Sequence, residues 1–171
     1  MHLLADGEIM RHLISLIVLV FSASIAQAGQ WGLQIHTVSH HFHPRDFGTW
    51  NENNHGIALR YEHDQELSVQ FGRYLNSYSA YDYKAYTNYA AIDYTPLHFK
   101  TISFGAYAGA GSGYDIPWFR DEGGKFVLDH VEERPLVLSG GLLARWNFGK
   151  FNITGRVNPG MAALEYGVTF K

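Results

Sequence analysis

The chain has 171 residues with 13 basic, 16 acidic and 10 histidine side chains, a formal charge of −3 that offers no basic surface to nucleic acid. It contains no cysteine, which excludes a disulfide framework and thiol chemistry. Its 11 Tyr, 11 Phe and 4 Trp suit pleated surfaces and the girdles of membrane interfaces.

Arg11 and His12 precede an apolar run from Leu13 to Phe21 in which Ser15 is the one polar residue, and Ala26-Gln27-Ala28 offers a small-x-small cleavage site. Residues 1–28 therefore read as a secretory signal peptide, for which Met10 is a better start than Met1. The run falls short of the roughly 20 apolar residues a spanning helix needs, so it leaves no anchor. Residues 29–171 make one domain, and losing Asp6, Glu8 and Arg11 with the signal keeps its charge near neutral.

Period-two alternation marks about eight strands in this domain. The first, from residue 31 to about 39, has Leu33 and Ile35 on one face and Gln34, His36 and His40 on the other. The second, 56–63, sets Ile57, Leu59 and Tyr61 against Ala58, Arg60 and Glu62, and the third sets Leu67, Val69 and Phe71 against Ser68, Gln70 and Gly72. The fourth is the tyrosine-rich stretch 83–94, and the fifth alternates Ile102, Phe104, Ala106 and Ala108 with Thr101, Ser103, Gly105 and Tyr107. The sixth spans about 136–148, and the seventh opposes Phe151, Ile153 and Val157 to Asn152, Thr154 and Arg156. The eighth, 161–171, alternates Ala162, Leu164, Tyr166, Val168 and Phe170 with Met161, Ala163, Glu165, Gly167 and Thr169, and ends on an aromatic as bacterial outer-membrane barrels commonly do.

These strands approach the nine to eleven residues of a tilted membrane strand, and an even number closes without an edge. The predicted fold is an all-β, eight-stranded antiparallel transmembrane β-barrel, monomeric and resident in the cell outer membrane; the last strand of a soluble sandwich is the alternative reading of the C-terminal segment. The connections 64–65, 95–98 and 149–150 are short, as periplasmic turns are. Those at 41–55, 76–82, 111–134 and 158–160 occupy the opposite, extracellular rim, where any chemistry belongs. Eight strands leave room for side chains or one slender ligand, so a general diffusion pore is not expected.

Three groups of residues resemble a known family: Thr37-Val38-Ser39-His40-His41-Phe42 with Trp50-Asn51-Glu52 and Gly56; Tyr74-Leu75-Asn76-Ser77-Tyr78; and Arg134-Pro135-Leu136 followed by Phe151-Asn152-Ile153-Thr154 and Val157-Asn158-Pro159-Gly160. Their order is similar to that in the outer-membrane lipid A palmitoyltransferases over most of the mature chain. The resemblance implies a barrel that moves a palmitoyl chain from a phospholipid to lipid A with a His, an Asp and a Ser near the extracellular rim. It assigns Ser77 to the serine, places Asn76 where the family has its aspartate, and matches His40 to the histidine because it shares the inward parity of His36. His41 is the alternative. An amide at 76 cannot supply the charge that orients and stabilises an imidazolium. Asn-Ser is also an ordinary turn pair. A non-enzymatic barrel, structural or surface-interacting, is therefore the second reading, and a secreted soluble barrel holding a small apolar ligand is a third. In the resembled enzymes prolines placed like Pro135 and Pro159 mark a lateral gap for lipid; no such pair stands near strands one and two, nor does an amphipathic helix precede strand one.

His36, His40, His41, His43 and His55 cluster in the first third of the chain, but without a thiolate and with no standard zinc spacing, so neither a metal nor a cofactor is expected. Arg60, Arg145, Arg156 and Glu165 are predicted to point inward as a structural network. Gly105, Gly109, Gly111, Gly140 and Gly141 are expected to permit tight curvature.

Overall fold

The computed structural model describes residues 29–42, 50–79 and 84–170; the expected signal peptide, His43, Tyr83 and Lys171 lie outside the described residues. The alternating segments form ten strands: β1 Gln30–His41, β2 Gly56–Glu62, β3 Leu67–Leu75, β4 Tyr86–Phe99, β5 Ile102–Ser112, β6 Ile116–Asp121, β7 Phe126–Glu132, β8 Val137–Phe148, β9 Phe151–Val157 and β10 Met161–Phe170. Eight of them close into an antiparallel barrel in the order β1-β10-β9-β8-β5-β4-β3-β2. β6 and β7 pair only with each other.

Register decides which face each residue takes. Gln34 opposes Gly167 and His36 opposes Glu165, with these side chains turned inward, while Ile35 opposite Tyr166 faces out. The interior buries Gln34, Arg60, Gln70, Asp93, Arg145, Arg156 and Glu165, and the exterior exposes Ile35, Ile57, Ile92, Leu138 and Leu142. A water-soluble barrel would have the reverse arrangement. With every strand paired around the ring, an apolar exterior is what the hydrocarbon of a bilayer requires, and it argues against both soluble alternatives. At the short-turn end Tyr94, Phe99, Phe104, Trp146, Phe148, Phe151 and Phe170 form an exposed aromatic girdle. Glu165, Arg60, Arg145 and Arg156 are all buried inside, as their parity predicted.

Three features depart from the alternation. The fourth strand continues past the expected turn at 95–98, because a register shift between Tyr94 and Leu97 takes Pro96 into β4 as a bulge, where its missing donor does no harm. A Cβ on Gly105 would lie 1.8 Å from the Tyr94 carbonyl, so only glycine fits beside that bulge. The chain reverses instead at Lys100, with φ +54°. The long connection 111–134 holds the β6–β7 hairpin, turned by Gly123 and Gly124 at positive φ. The third departure is in β1. A register shift between His36 and Val38 inserts Thr37 as an extra residue, and its hydroxyl donates to the Leu164 carbonyl at 2.9 Å. Beyond it the parity inverts: Ser39 and His41 turn inward and His40 outward, correcting the inward assignment of His40.

The outer half of the barrel is paired less completely than the inner half. β9 stops at Val157 opposite Leu142, so residues 137–141 of β8 pair with β5 alone. The β1–β2 ladder likewise ends at His36 opposite Gly56.

Candidate functional site

A cavity of about 480 Å³ fills the barrel's interior at the long-connection end. Ala91, Gly109, Gly111, Ser139 and Ala163 contribute its wall, and these small residues leave open the space that larger inward side chains would fill. The cavity also touches the outward residues Val38, Leu138 and Leu164 and the turn residues Asn158, Pro159 and Gly160. It therefore reaches the outer surface where β8 has lost its partner strand, beside Pro159.

Its floor is a polar network. Arg156 donates through Nε to Glu165 at 2.8 Å and through Nη1 and Nη2 to Asp93 at 2.7 and 2.9 Å. His36 Nδ1 lies 3.2 Å from Glu165 Oε1, and its Nε2 meets the Tyr89 hydroxyl across the barrel. Buried charges of this kind are tolerable because each finds a partner. Asp93 also accepts from Arg145 at 2.8 Å, which makes it the hub of the network. Alternation alone does not single it out, although it is the one acid inside the tyrosine-rich strand.

The mouth is built from the end of β1, residues 50–54 and the turn after β3. Ser77 is buried and lines the cavity. The Asn54 amide donates to Ser77 Oγ at 3.2 Å and to the Leu75 carbonyl at 2.9 Å, while Ser39 Oγ donates to Asn54 Oδ1. Tyr114, past the end of β5, also lines the cavity; burial and the neighbouring Tyr78 push its phenol up to about 12, and a hydrogen bond with Ser77 pulls the other way. His41 lies on the cavity side with its ring stacked on Trp50, centroids 4.4 Å apart. Its Nδ1 is buried without a hydrogen bond among the described residues.

Of the predicted site residues, Ser77 and His41 share the cavity, and His40 and Asn76 do not. The His40 ring is 70% exposed and pairs with Glu52 at 3.0 Å, because the bulge at Thr37 turned it outward. Asn76 closes a turn: its Oδ1 accepts the Tyr78 N–H at 2.9 Å, and its carbonyl accepts the Ser79 N–H at 3.2 Å. Asn54, Ser39 and Tyr114 were missed. The polar run Asn51-Glu52-Asn53-Asn54 was the available signal for Asn54, and Tyr114 had none.

The ring order, the apolar exterior and the polar interior define a membrane-spanning barrel of eight antiparallel strands. Among solved structures, the N-terminal β-barrel domain of Pseudomonas aeruginosa OprF matches 84% of this chain and 98% of its own, with a TM-score of 0.53 and 11% identity. The Yersinia pestis outer membrane protein Ail, in a phospholipid bilayer nanodisc, matches 83% of this chain and 99% of its own at a TM-score of 0.46 and 16% identity. The likeness is one of fold. No family model and no curated protein matches the chain.

Proposed function

We propose that this chain is an outer-membrane barrel of the Gram-negative envelope that draws a fatty acyl chain into its outer cavity and transfers it from a phospholipid to lipid A. The short turns then face the periplasm and the long connections the exterior. One observation carries the reading: a cavity with small-residue walls reaches the lipid-facing surface beside Pro159 and is edged at its mouth by a serine hydroxyl and an imidazole. A chain lying in the cavity puts its ester at that mouth. His41 takes the proton from the incoming lipid A hydroxyl as its oxygen attacks the acyl carbon and returns it to the departing donor oxygen. By way of Ser77 the exchange runs twice, first onto Ser77 Oγ with release of the lysophospholipid, then from acyl-Ser77 to the lipid A hydroxyl with the proton returned to Ser77. His41 takes the place of His40 because it is on the cavity side. Glu52, which accepts from the His41 backbone N–H at 3.4 Å and pairs with His40, brings to the histidines a carboxylate that position 76 lacks.

A non-enzymatic barrel is the second reading, favoured by the way Asn54, Ser39 and Ser77 bond one another and Asn76 closes a turn, an arrangement that stiffens a rim without chemistry. Mass spectrometry of lipid A from cells lacking other acyltransferases separates the two. The parent is expected to add an acyl chain and Ser77→Ala to lower that yield by about two orders of magnitude while the barrel still folds. Lipid A unchanged by the parent overturns the enzyme reading and favours the second. Residence is read from fractionation: the mature protein is expected with the outer membrane, showing heat-modifiable migration, and a detergent-free periplasmic monomer contradicts it.

A further inference from the structure

A second cavity, about 330 Å³, occupies the short-turn end of the barrel and is lined by Arg60, Glu62 and Arg145 among others. Between it and the outer cavity lies a layer of buried side chains that line neither: Gln34, Asp93, Asn152 and Thr154. The layer is held by hydrogen bonds. Gln34 donates to Asn152 at 3.3 Å and to Thr154 at 3.4 Å, and Arg145 Nε donates to Thr154 at 3.2 Å. Asp93 bridges the two compartments, taking Arg145 from the inner cavity at 2.8 Å and Arg156 from the outer at 2.7 Å.

A seal meant only to be shut would be at least as stable if built from apolar side chains, because desolvating charges offsets much of their attraction. A seal of exchangeable ion pairs can also open. Arg145 borders open space, and a second carboxylate, Glu62, lines the same inner cavity, paired with Arg60 at 2.8 Å. We infer that the barrel carries a gated path for small ions, closed at rest by the Asp93 layer and opened when Arg145 exchanges Asp93 for Glu62. At the level of this layer the interior is filled by side chains, so a path through it would pass water and small ions. Arg60, Arg145 and Arg156 face Glu62, Asp93 and Glu165, and Asp64, Glu66 and Lys100 also line the inner cavity, so the resting path carries a small excess of acid. Loss of Asp93 removes a negative charge at its narrowest point and shifts selectivity toward anions.

Refolded protein in planar bilayers under a potassium chloride gradient tests this independently of acyl transfer. The parent is expected to show rare, brief openings. Asp93→Asn should open at least about tenfold more often, since a charge-assisted pair is withdrawn from the closed state alone, and its reversal potential should move toward that of chloride. Thr154→Gly, which removes bulk from the layer and strands no charge, should open more often without that shift. It decides the matter if Asp93→Asn loses heat-modifiable migration and so has not folded. A parent that never opens, or a folded Thr154→Gly no more conductive than the parent, overturns the inference.

Discussion

His40 and His41 are neighbours in sequence, yet one ring lies outside the barrel wall and the other inside it, because Thr37 is an extra residue in β1. That displacement makes a sharp distinction available to mutagenesis. His41→Ala should abolish lipid A acylation by removing the imidazole at the cavity mouth, whereas His40→Ala, which loses only an exposed pair with Glu52, should stay within about twofold of the parent. Lipid A mass spectra read both, and the opposite ranking would return the role to His40. Asp64 shows how one side chain holds a turn. Its Oδ1 accepts the N–H of Leu67 at 2.7 Å and of Glu66 at 2.8 Å, and these two bonds hold its carboxyl below the usual carboxylate range. A depressed carboxyl contributes stability above its unfolded value, about 3.9, and loses it as pH falls through the lower folded value. The urea midpoint of the parent should therefore exceed that of Asp64→Asn near neutral pH, and the gap should close as pH falls below the usual carboxylate range. A gap independent of pH would assign the difference to something other than the charge.

The strands were the most legible elements, because period-two alternation is a direct record of a wall with lipid on one side and packed polar groups on the other. On β10 Tyr166 and Phe170 are exposed while Glu165 and Gly167 are buried, which matches the alternation of residues 161–170. Phe170→Asp should then impair insertion, since it puts a charge at the lipid-facing end of that strand, and Thr169→Asp, on the inner face, should be milder; equal defects in heat-modifiable yield would contradict the parity. A cation in mid-strand on the lipid face, Ile92→Arg, should cost about 2–4 kcal/mol in unfolding from vesicles. What alternation cannot record is a change of phase. The bulges at Thr37 and Pro96 each shift register by local backbone geometry, so unbroken alternation places His40 on the wrong face and makes a turn of a proline that lies inside β4. The candidate site suffered more than the fold for the same reason. Ser77 and His41 meet at one cavity through ring closure, and Asn54 reaches Ser77 from a segment without periodicity.

At the scale of the whole molecule, the barrel and the β6–β7 hairpin stand in an unequal relation. All eight barrel strands find both neighbours in the ring without help from the hairpin, whose two strands form a sheet of their own. An isolated hairpin is marginal in water, so β6 and β7 depend on the platform beneath them, and the platform's ladders do not depend on β6 and β7. Replacing residues 116–132 with a short Gly-Ser linker should leave insertion and heat-modifiable migration as in the parent, because no barrel ladder bond and no residue of the Asp93 layer is removed. Failure of the shortened chain to fold would show that the hairpin contributes to the barrel's stability through contacts other than its ladder. The same variant separates the two functional readings. The mouth residues Ser39, His41, Asn54, Ser77 and Tyr114 all remain, so an acyltransferase should keep modifying lipid A, whereas a surface-interaction protein whose reach into the medium is this hairpin should lose its partner while its membrane anchor stays intact.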